Sequence, residues 1–315
     1  MLSSPLVSVI IPSYNRADKV SHTLDSILSQ KCDFDFEIVI GDDFSTDNVR
    51  EVLKTYKDRY PEKIILLFHE KNIGLAANWA TCVKHSHGKY IANCDNDDYW
   101  HNENKLQIQV EFMEAHPEVG LCHTNYRIHH REEETIIEVE ASKDTKHGSS
   151  LQKKVFGSTF KCCNATVMYR KEMLEKYVNL DDFIKYQFTL QDWNTWVILA
   201  AYANFYCLPI STATFGIETE SITRPKNFEK LEQRFKQERE CYKYVYDLFP
   251  NNFPYIEEEY NEYENGVLLN LSYRNKDYKK AKKYGKKLKK RNLKKICSQN
   301  FILFNLFTFL KKLRP

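Results

Sequence analysis

The stretch KYIANCDNDDYW, Lys89 to Trp100, begins as a run of apolar and small residues and ends in three acids within four positions, followed at once by two large aromatics. Its first half has the length and composition of a buried strand. Asp95, Asp97 and Asp98 then crowd together where that strand stops. Ionised carboxylates repel one another and are costly to desolvate unless something pairs them. A bound divalent cation relieves that crowding, and so does a solvated turn. The choice between them depends on what else reaches the same place.

Upstream, the chain repeats one pattern. LVSVIIP (Leu6–Pro12) is a β-branched run stopped by proline. ADKVSHTLDSILSQ (Ala17–Gln30) then sets Val20, Leu24, Ile27 and Leu28 at helical spacing. FEIVIGDD (Phe36–Asp43) is a second strand ending in acids. STDNVREVLKTYKDRYP follows as a helix, with Ser45 or Thr46 as its N-cap and Pro61 as its stop. KIILLFHE (Lys63–Glu70) is a third strand, and a helix from about Leu75 closes at Gly88, read as a C-terminal glycine. The quoted stretch is the fourth strand, and NKLQIQVEFMEAHP makes another helix. Strands alternating with helices at this spacing predict an α/β fold with a mostly parallel central sheet covered on both faces.

Ligands of open parallel sheets bind beyond the carboxyl ends of the strands. Here that rim carries Tyr14, Asn15 and Arg16, then Asp42 and Asp43, then Asp95, Asp97 and Asp98. Any one of these sets fits an ordinary solvated loop; three strands delivering polar groups to one edge fit a site better. No G-x-G-x-x-G follows the first strand and no G-x-x-x-x-G-K-[ST] occurs, which disfavours dinucleotide oxidoreductases and P-loop NTPases.

Composition sets the outer limits. The 315 residues include 20 Tyr and 19 Phe but only 9 Gly and 9 Pro, a packed globular protein and not a disordered one. Nine scattered cysteines without a C-x-x-C pair, Cys162 and Cys163 adjacent, point to reduced thiols and a cytoplasmic setting. MLSSPLVSVIIP lacks the basic leader of a secretory signal. The histidines form no ligand set for zinc, and HHREEETIIEVE reads as an exposed hairpin or loop. The net charge of +3 hides a division, because residues 276–315 hold 15 of the 46 basic residues and one of the 43 acids, Asp277.

SVIIPSYNR, EIVIGDDFSTD, NIGLAANWA, GKYIANCDNDDYW and QDWNTW stand in the order and approximate spacing of family 2 glycosyltransferases, which the chain resembles over roughly residues 5–225. The resemblance implies a GT-A fold and inverting transfer of one sugar from a nucleotide diphosphate donor, commonly a UDP-sugar, with a divalent metal, Mn²⁺ or Mg²⁺. By position it implies that PSYNR (Pro12–Arg16) lines the base pocket, with Tyr14 stacking on the base. Asp43 would accept a hydrogen bond from the base, with Asp42 close by. Gly74 would form a tight turn and Asn78 would face the nucleotide. In DNDD, Asp95 would lie toward the ribose and Asp97 or Asp98 would hold the metal, the register between the two staying open and Asp97 preferred. The same resemblance makes Asp192 the general base, although Gln191 stands where relatives often carry a second acid. The alternative for Asp192 is a cap on a helix beginning near Trp193. Arg224 lies where relatives return a loop over the diphosphate; a solvated loop arginine is its other reading.

The chemistry of these residue types agrees. Mg²⁺ and Mn²⁺ prefer oxygen ligands, with Mg²⁺ usually held by one or two carboxylates plus substrate phosphates. An inverting transfer also needs a base opposite the leaving group.

The expected organisation is a catalytic domain over residues 1–225, with a nucleotide half to about 100 and an acceptor half from about 101, then a basic helical extension over 226–315. In the extension, Tyr278, Ala281, Gly285 and Leu288 are expected to share a face. FILFNLFTFLKKLRP is too short to span a bilayer, since a span needs about twenty apolar residues, but its flanking lysines suit an anionic membrane surface as a partner of residues 276–315. A final helix packed on the catalytic domain is the alternative. Nucleic acid is not expected, because it accounts neither for the apolar terminus nor for the acidic rim. The expected function is transfer to a hydroxyl of a glycan or lipid-linked acceptor in surface polysaccharide or lipopolysaccharide synthesis, at the inner face of the cell membrane. The competing reading is a catalytically silent nucleotide-sugar-binding or scaffold protein.

Overall fold

A computed structural model describes residues 4–143, 145–156, 160–217, 227–252 and 257–288. The expected alternation forms. Strands β1 (Val7–Ser13), β2 (Phe36–Asp42), β3 (Ile64–Phe68) and β4 (Tyr90–Asn93) interleave with helices α1 (Val20–Leu28), α2 (Val49–Arg59) and α3 (Leu75–Lys84). β1 pairs in parallel with both β2 and β4, and β2 with β3. Every residue of β1, β2 and β4 is buried, the signature of strands covered on both faces. One face packs Val9, Ile11, Ile38 and Ile40 against Leu24 and Ile27 of α1, all without solvent exposure. Each such side chain contributes roughly 1.5–3 kcal/mol of burial.

Three local expectations change. Pro12 does not stop β1, which runs on to Ser13: β4 leaves the ladder after Ile10, so no partner on that side needs the missing N–H. The N-cap of α2 is Asn48; Ser45 instead accepts the Asn15 amide at 2.9 Å. Gly88 lies four residues beyond the end of α3 and serves close approach, since a Cβ there would strike the backbone of Val7 and Ser8.

Beyond β4 the sheet becomes mixed. β5 (Tyr99–Trp100), α4 (Lys105–Ala115), β6 (Val119–His130) and β7 (Thr135–Val139) follow in order. α5 (Ser149–Phe156), β8 (Met168–Arg170), α6 (Lys171–Tyr177), α7 (Leu180–Tyr186), α8 (Gln191–Leu199) and β9 (Asn204–Ile217) complete this part. The strand order is β3-β2-β1-β4-β8-β6-β9-β5, with β7 on β6. β8 enters antiparallel to both β4 and β6, while β9 pairs in parallel with β6 through several irregularities. β6 and β7 form the hairpin anticipated for HHREEETIIEVE, with Ile136 and Ile137 exposed.

The chain divides into two compact units, Met1–Thr219 with Gln237–Phe253, and Glu220–Lys236 with Pro254–Pro315. Within the first unit, Tyr242 of helix α9 (Phe228–Leu248) meets Trp193 and the Tyr244 hydroxyl donates to Asp182 at 2.8 Å. In the second unit, Lys276 adopts a left-handed conformation and Asp277 caps a new helix, so α10 (Glu257–Arg274) and α11 (Tyr278–Gly285) are separate. The buried face is Ala281, Tyr284 and Leu288; Tyr278 stands 58% exposed in the first turn, outside the face expected for it. All eight described cysteines are free thiols. Among the described residues no helix is long and apolar enough to cross a membrane. FILFNLFTFLKKLRP lies outside the described residues, as does Arg224.

Candidate active site

The loops after β1, β2 and β4 meet at one edge. After β1, Tyr14 is 42% exposed, and Asn15 takes a positive φ of 50°, a conformation asparagine tolerates. The Asn15 carbonyl oxygen of the side chain accepts the Thr46 amide at 2.8 Å, which ties the β1 loop to the β2 loop. Arg16 reaches across to Asp97, Nε to Oδ2 at 3.4 Å.

After β2, the two acids take different tasks. Asp42 is fully buried and pairs with Nε of Arg50 at 2.5 Å, while its other oxygen has no hydrogen-bond partner. Arg50 is held between the rings of Phe44 and Phe68, at 5.6 and 5.2 Å. Asp43 accepts the amides of Ile73 and Gly74, at 2.6 and 2.9 Å. Its carboxylate therefore organises the turn before α3. Gly74 sits at φ 87°, ψ 156°, a region that side chains do not adopt, consistent with a tight turn.

Asn78 departs from its expected place. It is 1% exposed, donates to the Gly41 carbonyl at 2.7 Å, and its oxygen faces Nε2 of His69 at 2.9 Å. An amide so enclosed holds the end of β2 in place and does not face a nucleotide. Pro12 is likewise buried within the sheet, opposite Gly41.

The acids of DNDD separate. Asp97 keeps a side chain 29% exposed beside Arg16. Asp98 is 1% exposed; Oδ1 accepts the Gly216 amide of β9 at 3.0 Å and Oδ2 is buried without a partner. Burial, then the charges of Asp95 and Asp97, push its carboxyl well up. Asp95 accepts from the Asn164 amide at 3.4 and 3.5 Å. Burial first, then the Asp97 charge, push Asp95 up to about 7, and the charge of Asp192 adds to the same effect.

Asp192 comes from α8, far along the chain, and its charge acts on Asp95. Asp192 is the second residue of α8, whose N-cap is Leu190, so it does not cap the helix. Its Oδ1 accepts the Trp193 amide at 2.7 Å, and burial raises its pKa despite that bond. Sequence reasoning missed Arg50, which pairs Asp42, and Asn164, which holds Asp95. An arginine in an amphipathic helix and an asparagine in CCNATV carry no local signal of either role.

The donor set suits a hard divalent cation only in company. No group of three or more His, Cys, Asp or Glu side chains gathers as a metal site among the described residues. One or two carboxylates, completed by phosphate oxygens and water, is the arrangement Mg²⁺ commonly uses. The unpaired oxygen of Asp98 and the raised Asp95 mark a locus short of positive charge, which a cation would correct.

The sequence pattern of this site matches a family model, Glycosyl transferase family 2, across residues 8–178. The chain belongs to that family. Among family 2 relatives it is similar to a putative teichuronic acid biosynthesis glycosyltransferase, TuaG of Bacillus subtilis, at 40% identity over 109 residues, covering 35% of this chain and 42% of that protein. The chain spans less than half the length of the first curated relatives it matches. Its fold is similar to that of S. aureus TarS 1–349 solved with UDP-GlcNAc, at a TM-score of 0.57 and 17% identity over 85% of this chain and 72% of that one. The mannosyltransferase PcManGT from Pyrobaculum calidifontis, solved with GDP-Man and Mn²⁺, gives a TM-score of 0.53 and 17% identity over 99% and 88%. At these identities the likeness is one of fold, the GT-A arrangement.

Proposed function

We propose that this family 2 member is an inverting glycosyltransferase that moves one sugar from a nucleotide diphosphate donor, a UDP-sugar first among candidates, to a hydroxyl of a glycan or lipid-linked acceptor in surface polysaccharide synthesis. The observation that carries the reading is the row of an exposed Tyr14, the turn-holding Asp43, and Asp95 and Asp97 at the carboxyl edge of the sheet, with the charge of Asp192, from about a hundred residues further along, acting on Asp95. The nucleotide-sugar complexes of TarS and PcManGT, and the teichuronic acid assignment of TuaG, support the substrate class.

In this reading residues to about 100 serve the nucleotide and residues 101–225 the acceptor. Tyr14 offers an exposed ring to the base beside Asp43, and Asp95 lies toward the ribose. Asp97, reachable where Asp98 is enclosed, would hold a divalent cation. When bound, that cation neutralises charge on the departing diphosphate as a Lewis acid. Asp192 takes the proton of the acceptor hydroxyl as its oxygen attacks the anomeric carbon; the bond from that carbon to the diphosphate oxygen breaks on the opposite face, with its electron pair leaving on the nucleoside diphosphate. Burial raises the basicity of Asp192 and so suits it to the task.

The test is release of nucleoside diphosphate across a panel of UDP- and GDP-sugars with Mn²⁺ or Mg²⁺, with and without glycan and lipid-linked acceptors. Activity in the parent that is lost in Asp192→Asn supports the enzyme. Binding of a nucleotide sugar without turnover under any condition would favour the silent binding protein. Liposome flotation with and without anionic lipid, for the full chain and one lacking residues 276–315, tests the membrane surface; equal recovery of both would refute it.

A further inference from the structure

Asp95, Asn96, Asp97 and Asp98 make a four-residue turn, closed by the Asp98 amide, which donates to the Asp95 carbonyl at 3.0 Å. Neighbouring elements hold its other polar groups. The Asn96 side-chain amide donates to Ser13 Oγ at 2.8 Å, and the Asp98 carbonyl accepts from Thr23 Oγ1 at 2.7 Å. The Asp97 carbonyl is held from further away. It accepts from Nη2 of Arg131, which begins the turn between β6 and β7, 34 residues along the chain.

The side chain of Arg131 is not needed to fasten the strands. Its backbone amide already donates to the Ile217 carbonyl at 3.2 Å and joins the end of β6 to the end of β9. Yet room is kept for the guanidinium, since a Cβ at Gly216 would fall on it. Gly216 lies outside the positive-φ region, so the glycine is required for that space and not for its conformation. Nε of Arg131 is buried with no hydrogen-bond partner among the described residues, so the side chain stays there against a desolvation cost.

What this placement controls is the peptide unit between Asp97 and Asp98. Its amide end is held by Asp95 and its carbonyl end by Arg131. A turn peptide released at its carbonyl is free to rotate, and its rotation re-aims the carboxylates on either side. With the unit fixed, Asp97 stays open beside Arg16, and Asp98 stays enclosed on the Gly216 amide. We propose that Arg131 is a positioning residue for the divalent cation, holding the Asp97 carbonyl so that the Asp97 carboxylate remains turned to the rim. This role rests on the reading of Asp97 as the acid that holds the cation, and adds to it a residue from a distant hairpin. Outer groups of this kind orient metal ligands without touching the metal.

Charge and position pull in opposite directions here, which makes the role testable. A guanidinium beside two acids repels an incoming cation, so by charge alone its removal would tighten Mn²⁺ binding. Loss of the held turn would weaken it. Free Mn²⁺ counted by electron paramagnetic resonance reads the difference, with the full chain at fixed UDP or GDP and a protein-free control. Arg131→Met should weaken Mn²⁺ affinity by roughly ten- to a hundredfold, and Gly216→Ala, which keeps the charge but displaces the guanidinium, should act in the same direction. In the Arg131→Met background Gly216→Ala should add little, because both remove one contact. Diphosphate affinity measured without metal should stay at the parent value. Unchanged or tighter Mn²⁺ binding in Arg131→Met overturns the role, and so does an equal loss of metal-free diphosphate binding, which would mark a merely structural residue. Should Arg131→Met not fold, Gly216→Ala decides alone. A parent in which Mn²⁺ and diphosphate binding are not coupled refutes the reading of Asp97 itself.

Discussion

The two halves of the sheet are built on different terms. From β1 to β4, each strand is followed by a helix that returns the chain for a parallel neighbour, and burial of both strand faces writes itself into unbroken apolar runs. From β5 to β9 the chain reverses, inserts the three-residue β8 between β4 and β6, and pairs two long strands, β6 and β9, across irregular register. The first half presents its polar residues at strand ends in a predictable row. The second half reaches over that row with Asp192, Asn164, Arg131 and Gly216 and decides what each acid can do. The candidate site is thus a regular half furnished by an irregular one.

The sharpest way to break that division is to remove the one reacting group proposed for the second half. Asp192→Asn keeps shape and should lower transfer by about 10²–10⁴-fold, the usual worth of a general base, while nucleotide affinity stays within a fewfold of the parent. Initial rates and calorimetry on the same preparation check it; a parallel loss of binding would make Asp192 a structural residue. Next in size, Asp97→Ala should abolish the coupling between Mn²⁺ and nucleoside diphosphate binding. Asp98→Ala should instead act first on stability, because its carboxylate is fixed to Gly216. Titrating metal at fixed nucleotide, beside melting curves, distinguishes the adjacent acids.

Within the regular half, Asn78→Ala leaves the Gly41 carbonyl and His69 without their buried partner. It should cost about 2 kcal/mol in denaturant unfolding, an effect absent if Asn78 only met ligand. The smallest effect concerns Lys105, a fully buried lysine that donates to Gln109 at 2.6 Å and lies 4.3 Å from the centre of the Trp100 ring. Burial lowers its pKa to about 8 from an unfolded value near 10.5. Between those values the unfolded chain holds more protons, so stability should rise with pH across that window. Lys105→Met should remove this rise relative to the parent; unchanged pH dependence in urea unfolding would show that burial does not lower the pKa of the lysine.

The legible part of the fold was the part whose cause is local. Leu24 and Ile27 repeat at helical spacing because one side of α1 faces the sheet, and β2 is apolar throughout because both of its faces are covered. Asp42 and Asp43 were readable as rim residues for the same reason. Their different partners were not, because Arg50 and the Ile73–Gly74 amides come from other elements. β8 escaped notice because three residues carry too little periodicity to mark a strand. Pro12 misled in the opposite direction, because a proline stops a strand only where its missing N–H is needed.

The sequence by itself determined the alternating order of strands and helices to β4, the row of polar residues at their carboxyl ends, and the family to which that row belongs. Those follow from periodicity and short motifs, which neighbouring residues carry together. Only the tertiary structure decided that Asn78 points inward, that Asp97 lies open while Asp98 is enclosed, and that Arg131 stands behind both acids. Adjacent residues in a turn have nearly the same local sequence, and their difference here is a hydrogen bond from Gly216, 118 residues away, which forms only when β9 is laid beside β6.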